Sequence, residues 1–251
     1  MCVFNALVFF FFLFKNIGMK DAIYIRNKIS NWKRNNGLLN SYPFSILSKK
    51  YINKLLESMI FIDSNYLNYN PSLNINNKSH YRNYGILANK IKHNTNGKMN
   101  QFNSEIYCAV KTTNTNESTR TSNSDINAIV KYFCSLKIND FKKLIENRNE
   151  DYKIISDCLN TTHKHALSLL SKVCFHCANA IFGNDCNFSK YDNIVKQHIY
   201  IFSNNAKVHK HSFDKTDYKT YCSYCREIKD ITKRFGISRN GFDLAVWLNY
   251  K

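Results

Sequence analysis

Glycine and proline are scarce in this chain, at 7 and 2 of 251 residues. A collagen-like chain is therefore excluded, and turns must be made largely by Asn and Ser. Acidic residues are also few. Eighteen Asp and Glu face 36 Lys and Arg, a formal charge of +18, or roughly one uncompensated positive charge per fourteen residues, which points to a polyanionic partner. No run approaches the ~20 consecutive apolar residues of a spanning helix, which excludes a polytopic membrane protein. No Gly-rich phosphate loop, HExxH or GxSxG is present. Carboxylates such as Glu146, Glu150 and Asp151 are interleaved with Lys and Arg and read as solvated. His163 and His165 fall on different sides of a helix, which suits neither a zinc pair nor a triad. This inventory yields no enzyme.

What is present is aromatic and Asn-rich: Phe 18 and Tyr 16 carry much of a 44% hydrophobic fraction. Five stretches can be distinguished. Residues 1–18 contain Val3 to Phe14, VFNALVFFFFLF, whose length suits the apolar region of a targeting signal, typically about 7–15 residues. Against that reading, no basic residue precedes the run and no small-x-small site follows it; a buried element, or a start at Met19, stays open. Residues 19–62 form a basic arm. Ile25, Ile29 and Trp32 fall at helical spacing beside Arg26, Lys33 and Arg34, and a second helical patch covers 44–62. Residues 63–124 are Asn-rich and predicted to be a disordered insertion, because ordering each residue costs ~1–2 kcal/mol with little core to gain. Helical stripes return in 125–202, with Ile126, Ile129, Val130 and Phe133, then Ile154, Ile155, Cys158 and Leu159, then Leu169, Leu170, Val173 and Cys174. A polar stretch opens the last segment, 203–251. The expected fold class is mainly α with long disordered segments, ending in a small zinc-ribbon-like turn plus helix.

The most informative residues run from Cys222 to Leu244, CSYCREIKDITKRFGISRNGFDL. Cys222 and Cys225 make a CxxC pair, and Phe235-Gly236-Ile237-Ser238-Arg239 follows nine residues on. Ser238 suits the N-cap of a helix through Leu244 and Ala245. The positive end of that helix beside Arg239 would seat a phosphate. Lys229, Lys233 and Arg234 lie just before it, so the segment reads as an RNA-phosphate clamp. Phe235 either stacks on a base or wedges under the helix. Arg26, Lys33 and Arg34 would extend the contact through the basic arm.

This motif, CxxC and then FGISR with Phe242 three positions beyond, resembles the C-terminal core of the small-subunit ribosomal protein fourteen family. Lys20-Asp21 with Arg26, Trp32 and Arg34 is similar to the basic N-terminal helix of its bacterial and organellar members. The strong match covers about thirty residues and the weaker one about twenty. The resemblance implies a non-catalytic protein of the subunit head, bound to small-subunit rRNA and neighbouring head proteins. Ser238 and Gly241 stand where zinc-binding members have a second cysteine pair. Cys225-Arg226-Glu227 stands where zinc-free members have Thr-Gly-Arg, and the usual basic tail ending in Lys-x-Ser-Trp is missing. The signal-like start before an acid-poor stretch resembles the leader of a plastid (apicoplast) protein, with the mitochondrion as alternative and no membrane contact in the mature form.

A second CxxC, Cys174 and Cys177, raises another reading. With Cys222 and Cys225 it supplies four thiols, the ligand number of a structural Zn²⁺ site. The forty-four intervening residues exceed the ~15–20 of common ribbons. His176, His209 and His211 allow mixed ligation, and the alternative is that Cys174 and Cys177 are buried on a helix. The rival function is therefore a zinc-ribbon nucleic-acid binder outside the ribosome.

Overall fold

The computed structural model describes residues 78–94, 96–117, 119–163, 166–182, 186–235, 239–240, 242–243 and 246. The segment 1–18 expected to be signal-like, the expected arm 19–62 with Arg26, Lys33 and Arg34, and Ser238 lie outside the described residues, as does the side chain of Phe235. Eight α-helices and no strand are found among the described residues, in keeping with the mainly helical expectation. They are α1 (Lys78–His93), α2 (Asn103–Asn116), α3 (Asn123–Ser135), α4 (Ile138–Glu146), α5 (Lys153–Leu159), α6 (Leu167–Phe182), α7 (Asn193–His198) and α8 (Tyr218–Phe235). No helix among the described residues is long and apolar enough to cross a membrane.

Helix α6 forms the centre, and twelve of its sixteen residues are buried. Helices α1, α2, α4 and α5 pack against it, which is why its sequence is apolar on nearly every side. The surrounding helices are amphipathic. Helix α3 buries Ile126, Ile129, Val130 and Phe133, the i, i+3, i+4, i+7 stripe read from the sequence. Its start is fixed by Ser122, whose hydroxyl accepts from the Asp125 N–H at 3.2 Å. Helix α4 buries Ile138, Phe141 and Ile145, and stops at Asn147 in the left-handed conformation that Asn tolerates, φ 49°.

From Lys78 onward, the stretch expected to be a disordered insertion is helical instead. Helix α1 buries Tyr84, Leu87, Ala88 and Ile91, and α2 buries Ile106, Ala109, Val110 and Thr113. Each set is a complete i, i+3, i+4, i+7 stripe. The remaining positions are mostly Asn, Lys, Thr and Ser, so average composition hides a narrow apolar seam. The Tyr84 hydroxyl lies 2.6 Å from the Thr113 hydroxyl, which satisfies the two polar tips inside that seam.

The boundary expected at residue 203 is also absent from the packing. Tyr221 of α8 meets Tyr152 edge-on at 5.3 Å, and Tyr224 meets Tyr191 at 5.0 Å. Phe202 meets Phe242 at 5.4 Å. The last segment therefore shares one apolar cluster with the rest of the described chain. Its aromatics are too few to make a core alone; Phe213 packs on Tyr224 within the segment, and the rest of the burial comes from partners in 152–202.

Candidate nucleic-acid interface

The CxxC at Cys222 and Cys225 lies on a helix, not in a zinc-ribbon-like turn. Helix α8 runs unbroken from Tyr218 to Phe235, and Asp217 caps its start by accepting the Thr220 N–H at 2.8 Å. Backbone bonding from Thr220 is the main reason that carboxyl is held below its ordinary range. The spacing that reads as a turn also reads as i, i+3 on a helix, and the buried stripe Tyr221, Tyr224, Cys225, Ile228 and Ile231 decides between them.

Helical geometry then separates the charges. At ~100° per residue, positions seven apart fall almost in line. Lys219, Arg226 and Lys233 accordingly form one row along α8, and all three are exposed. Ser223 and Asp230, both exposed, lie beside the row. Lys229 flanks it on one side and pairs with Glu150 at 2.8 Å. Arg234, about 100° from Lys233, lies on the other and donates to the Phe202 carbonyl. The acid Glu227, seven residues before Arg234 and on the same flank, is buried. Lys233 and Arg234 also stand at the helix C-terminus, where the dipole favours cations.

Arg239 does not join this face. Its side chain is only 10% exposed. One guanidinium nitrogen donates to the Asn187 carbonyl at 2.7 Å and to the Ser189 hydroxyl at 3.3 Å. The other nitrogen lies 3.6 Å from Glu150. Burial works against its charge, but Tyr152, Cys225 and Glu150 more than offset that and raise its pKa. The Arg239 phosphate contact expected from the sequence is corrected on this ground, because all the named donor contacts point inward. Glu150 holds both Lys229 and Arg239, and Tyr218 donates to the neighbouring Asp151 carbonyl. Arg239 is thus a tie between the 147–152 loop, the 186–190 segment and the C-terminal residues.

The four cysteines proposed as zinc ligands divide between two helices. Cys174 and Cys177 are buried within α6, and Cys225 is buried and Cys222 half-buried on α8. Burial pushes up the thiols of all four, Cys225 to about 11. A zinc ligand must be a thiolate. Among the described residues, no three of His, Cys, Asp and Glu are grouped to hold a metal ion.

A second polar cluster went unread in the sequence because its members are far apart along the chain. Lys172 of α6, with its side chain 5% exposed, lies 3.4 Å from both Glu117 and Asp192. His176, one turn further on, is 2.5 Å from the other Glu117 oxygen. Asp192 also caps α7 through the Ile194 N–H at 2.9 Å. Nearby, Lys190 approaches Asp243 at 3.6 Å and stands over the Phe175 ring at 4.9 Å. These pairs balance charges that burial would otherwise make costly, and they fasten the 117 and 192 loops to the central helix.

No protein-family model, curated protein or solved structure matches the chain. The exposed row on α8 joins one sequence-expected residue, Lys233, to two that were missed, Lys219 and Arg226, while the expected Lys229 and Arg234 stand on its two flanks. A turn assigned to Cys222–Cys225 breaks the seven-residue register; a continuous helix makes it plain.

Proposed function

We propose that this chain is a non-catalytic RNA-binding protein, a structural constituent of an organellar small ribosomal subunit. The observation that carries the RNA contact is the outward face of α8, where Lys219, Arg226, Lys229, Lys233 and Arg234 are exposed with Asp230 as the one exposed acid of the helix. The ribosomal setting rests on the FGISR resemblance and would bring small-subunit rRNA and neighbouring head proteins as partners. Overall charge supports the same partner class. Twenty-seven of the 36 basic residues and fifteen of the 18 acidic ones fall in 78–251, so this part alone carries +12. In this reading Arg239 fixes the C-terminal segment against the bundle, and the row Lys219, Arg226 and Lys233 meets phosphate. The two cysteine pairs serve as packing residues, so the proposal uses no metal.

Cross-linking of the tagged full chain to RNA in cells, followed by peptide mapping, tests this. Cross-links within 219–234 to small-subunit rRNA are expected. Cross-links confined to other faces, or to messenger RNA alone, would overturn it.

A further inference from the structure

We infer that the α8 face takes double-helical RNA, gripped through its phosphates. This inference rests on the RNA-binding reading above and narrows it. Lys219, Arg226 and Lys233 repeat at seven-residue intervals, a rise of about 10.5 Å per step and about 21 Å in all. They project from a helix whose inner side is locked into the core by Tyr221, Tyr224, Cys225, Ile228 and Ile231. The spacing of the row along the helix is therefore fixed, and a fixed spacing of cation-bearing positions complements a partner whose phosphates are themselves held in space.

A single strand asks for something different. Its affinity comes largely from bases stacked on exposed aromatic rings, worth ~1–3 kcal/mol each. The three tyrosines of α8 are used otherwise. Tyr221 is buried and donates to the Ser189 carbonyl at 3.0 Å. Tyr224 is buried and donates to the Lys190 carbonyl at 2.8 Å. Tyr218 donates to the Asp151 carbonyl. The helix also contains no Asn or Gln, the amide side chains that read adenine in the DNA major groove. What remains on the face is Lys, Arg and the hydroxyl of Ser223, groups suited to phosphate and ribose. Double-helical RNA, with a shallow minor groove recognised by shape, phosphate and 2′-hydroxyl, fits that set.

The test uses the full chain and three probes: a mixed-sequence RNA duplex of about 20 base pairs, which exceeds the length of α8, either of its single strands, and the DNA duplex of the same sequence. Anisotropy titrations across a salt series should show the RNA duplex binding roughly tenfold or more tighter than either other probe, with little change when its sequence is scrambled. The triple variant K219E/R226E/K233E should lose that binding and lower the salt slope by roughly one per cation removed. Its unfolding midpoint should match the wild type, and K219Q/R226Q/K233Q provides the same test without charge reversal. Equal or tighter binding to the single strand or to the DNA duplex would overturn the inference while leaving RNA binding in place. Unchanged duplex affinity in both triple variants would overturn it too. Failure to bind any RNA would remove the broader reading with it.

Discussion

The guanidinium of Arg239 donates to the backbone carbonyl of Asn187 at 2.7 Å, across fifty-two positions of sequence. With Ser189 and Glu150 as further partners, it closes the C-terminal segment onto the bundle. Arg239→Ala would leave the half-buried Asn187 carbonyl without this donor and deprive Glu150 of one of its two cations. A loss of about 3 kcal/mol is expected, read as a lower denaturation midpoint. Lys233→Ala, at an exposed position, should stay within about 0.5 kcal/mol of wild type. An Arg239→Ala protein of unchanged stability would contradict the structural role assigned to this arginine.

The order of the Asn-rich stretch is open to an equally simple check. Leu87 of α1 is 2% exposed, and Leu87→Ala should cost about 2–5 kcal/mol through lost burial and the cavity left behind. Were 78–116 dispensable to the fold, the substitution would leave the unfolding curve where it was.

Legibility in the sequence followed the width of each apolar stripe. The stripes of α3, α5 and α6 stood out because aliphatic residues dominate them. Those of α1 and α2 were equally regular but depended on Tyr84, Ala88, Ala109 and Thr113 among many asparagines, so composition outweighed periodicity. In the candidate interface, Lys229, Lys233 and Arg234 were found because they cluster in sequence. Lys219 and Arg226 were missed because their grouping exists only once residues 218–235 form one helix. Arg239 was misassigned for a related reason. Its partners at 150, 187 and 189 are remote, and no local pattern announces a long-range tie.

Stability should rise in one respect as the solution is acidified from neutral. Burial raises the Asp243 carboxyl to about 6; Lys190 works against this, while Asp192 and Glu117 add to it. The folded state then binds a proton that the unfolded state, with its ordinary carboxyl near 3.8, does not hold between about pH 4 and 6. Ionised Asp243 therefore costs stability at pH 7, and that cost shrinks as pH falls below about 6 and is gone near 3.8. Asp243→Asn should stabilise the protein at pH 7, with an increment that shrinks towards pH 5. An increment independent of pH would contradict the burial of this carboxyl.

Thiol reactivity should separate the described cysteines by exposure. Cys108 is exposed, whereas Cys158, Cys174, Cys177 and Cys225 are buried, and burial pushes the Cys158 thiol up to about 12 and that of Cys225 to about 11. With iodoacetamide at pH 8, Cys108 should label in the native state and the other four only on unfolding. Rapid native labelling of Cys174 or Cys225 would argue against their packing.

The most direct measurement of the central claim is sedimentation of the tagged full chain from fractionated organelles, beside its K219E/R226E/K233E variant. Wild-type protein is expected to travel with small-subunit ribosomal RNA at low salt and to be released as salt rises, while the variant stays near the top of the gradient. Free wild-type protein at low salt, or a variant that sediments with the subunit as fully as wild type, would contradict the assignment of the α8 face to RNA.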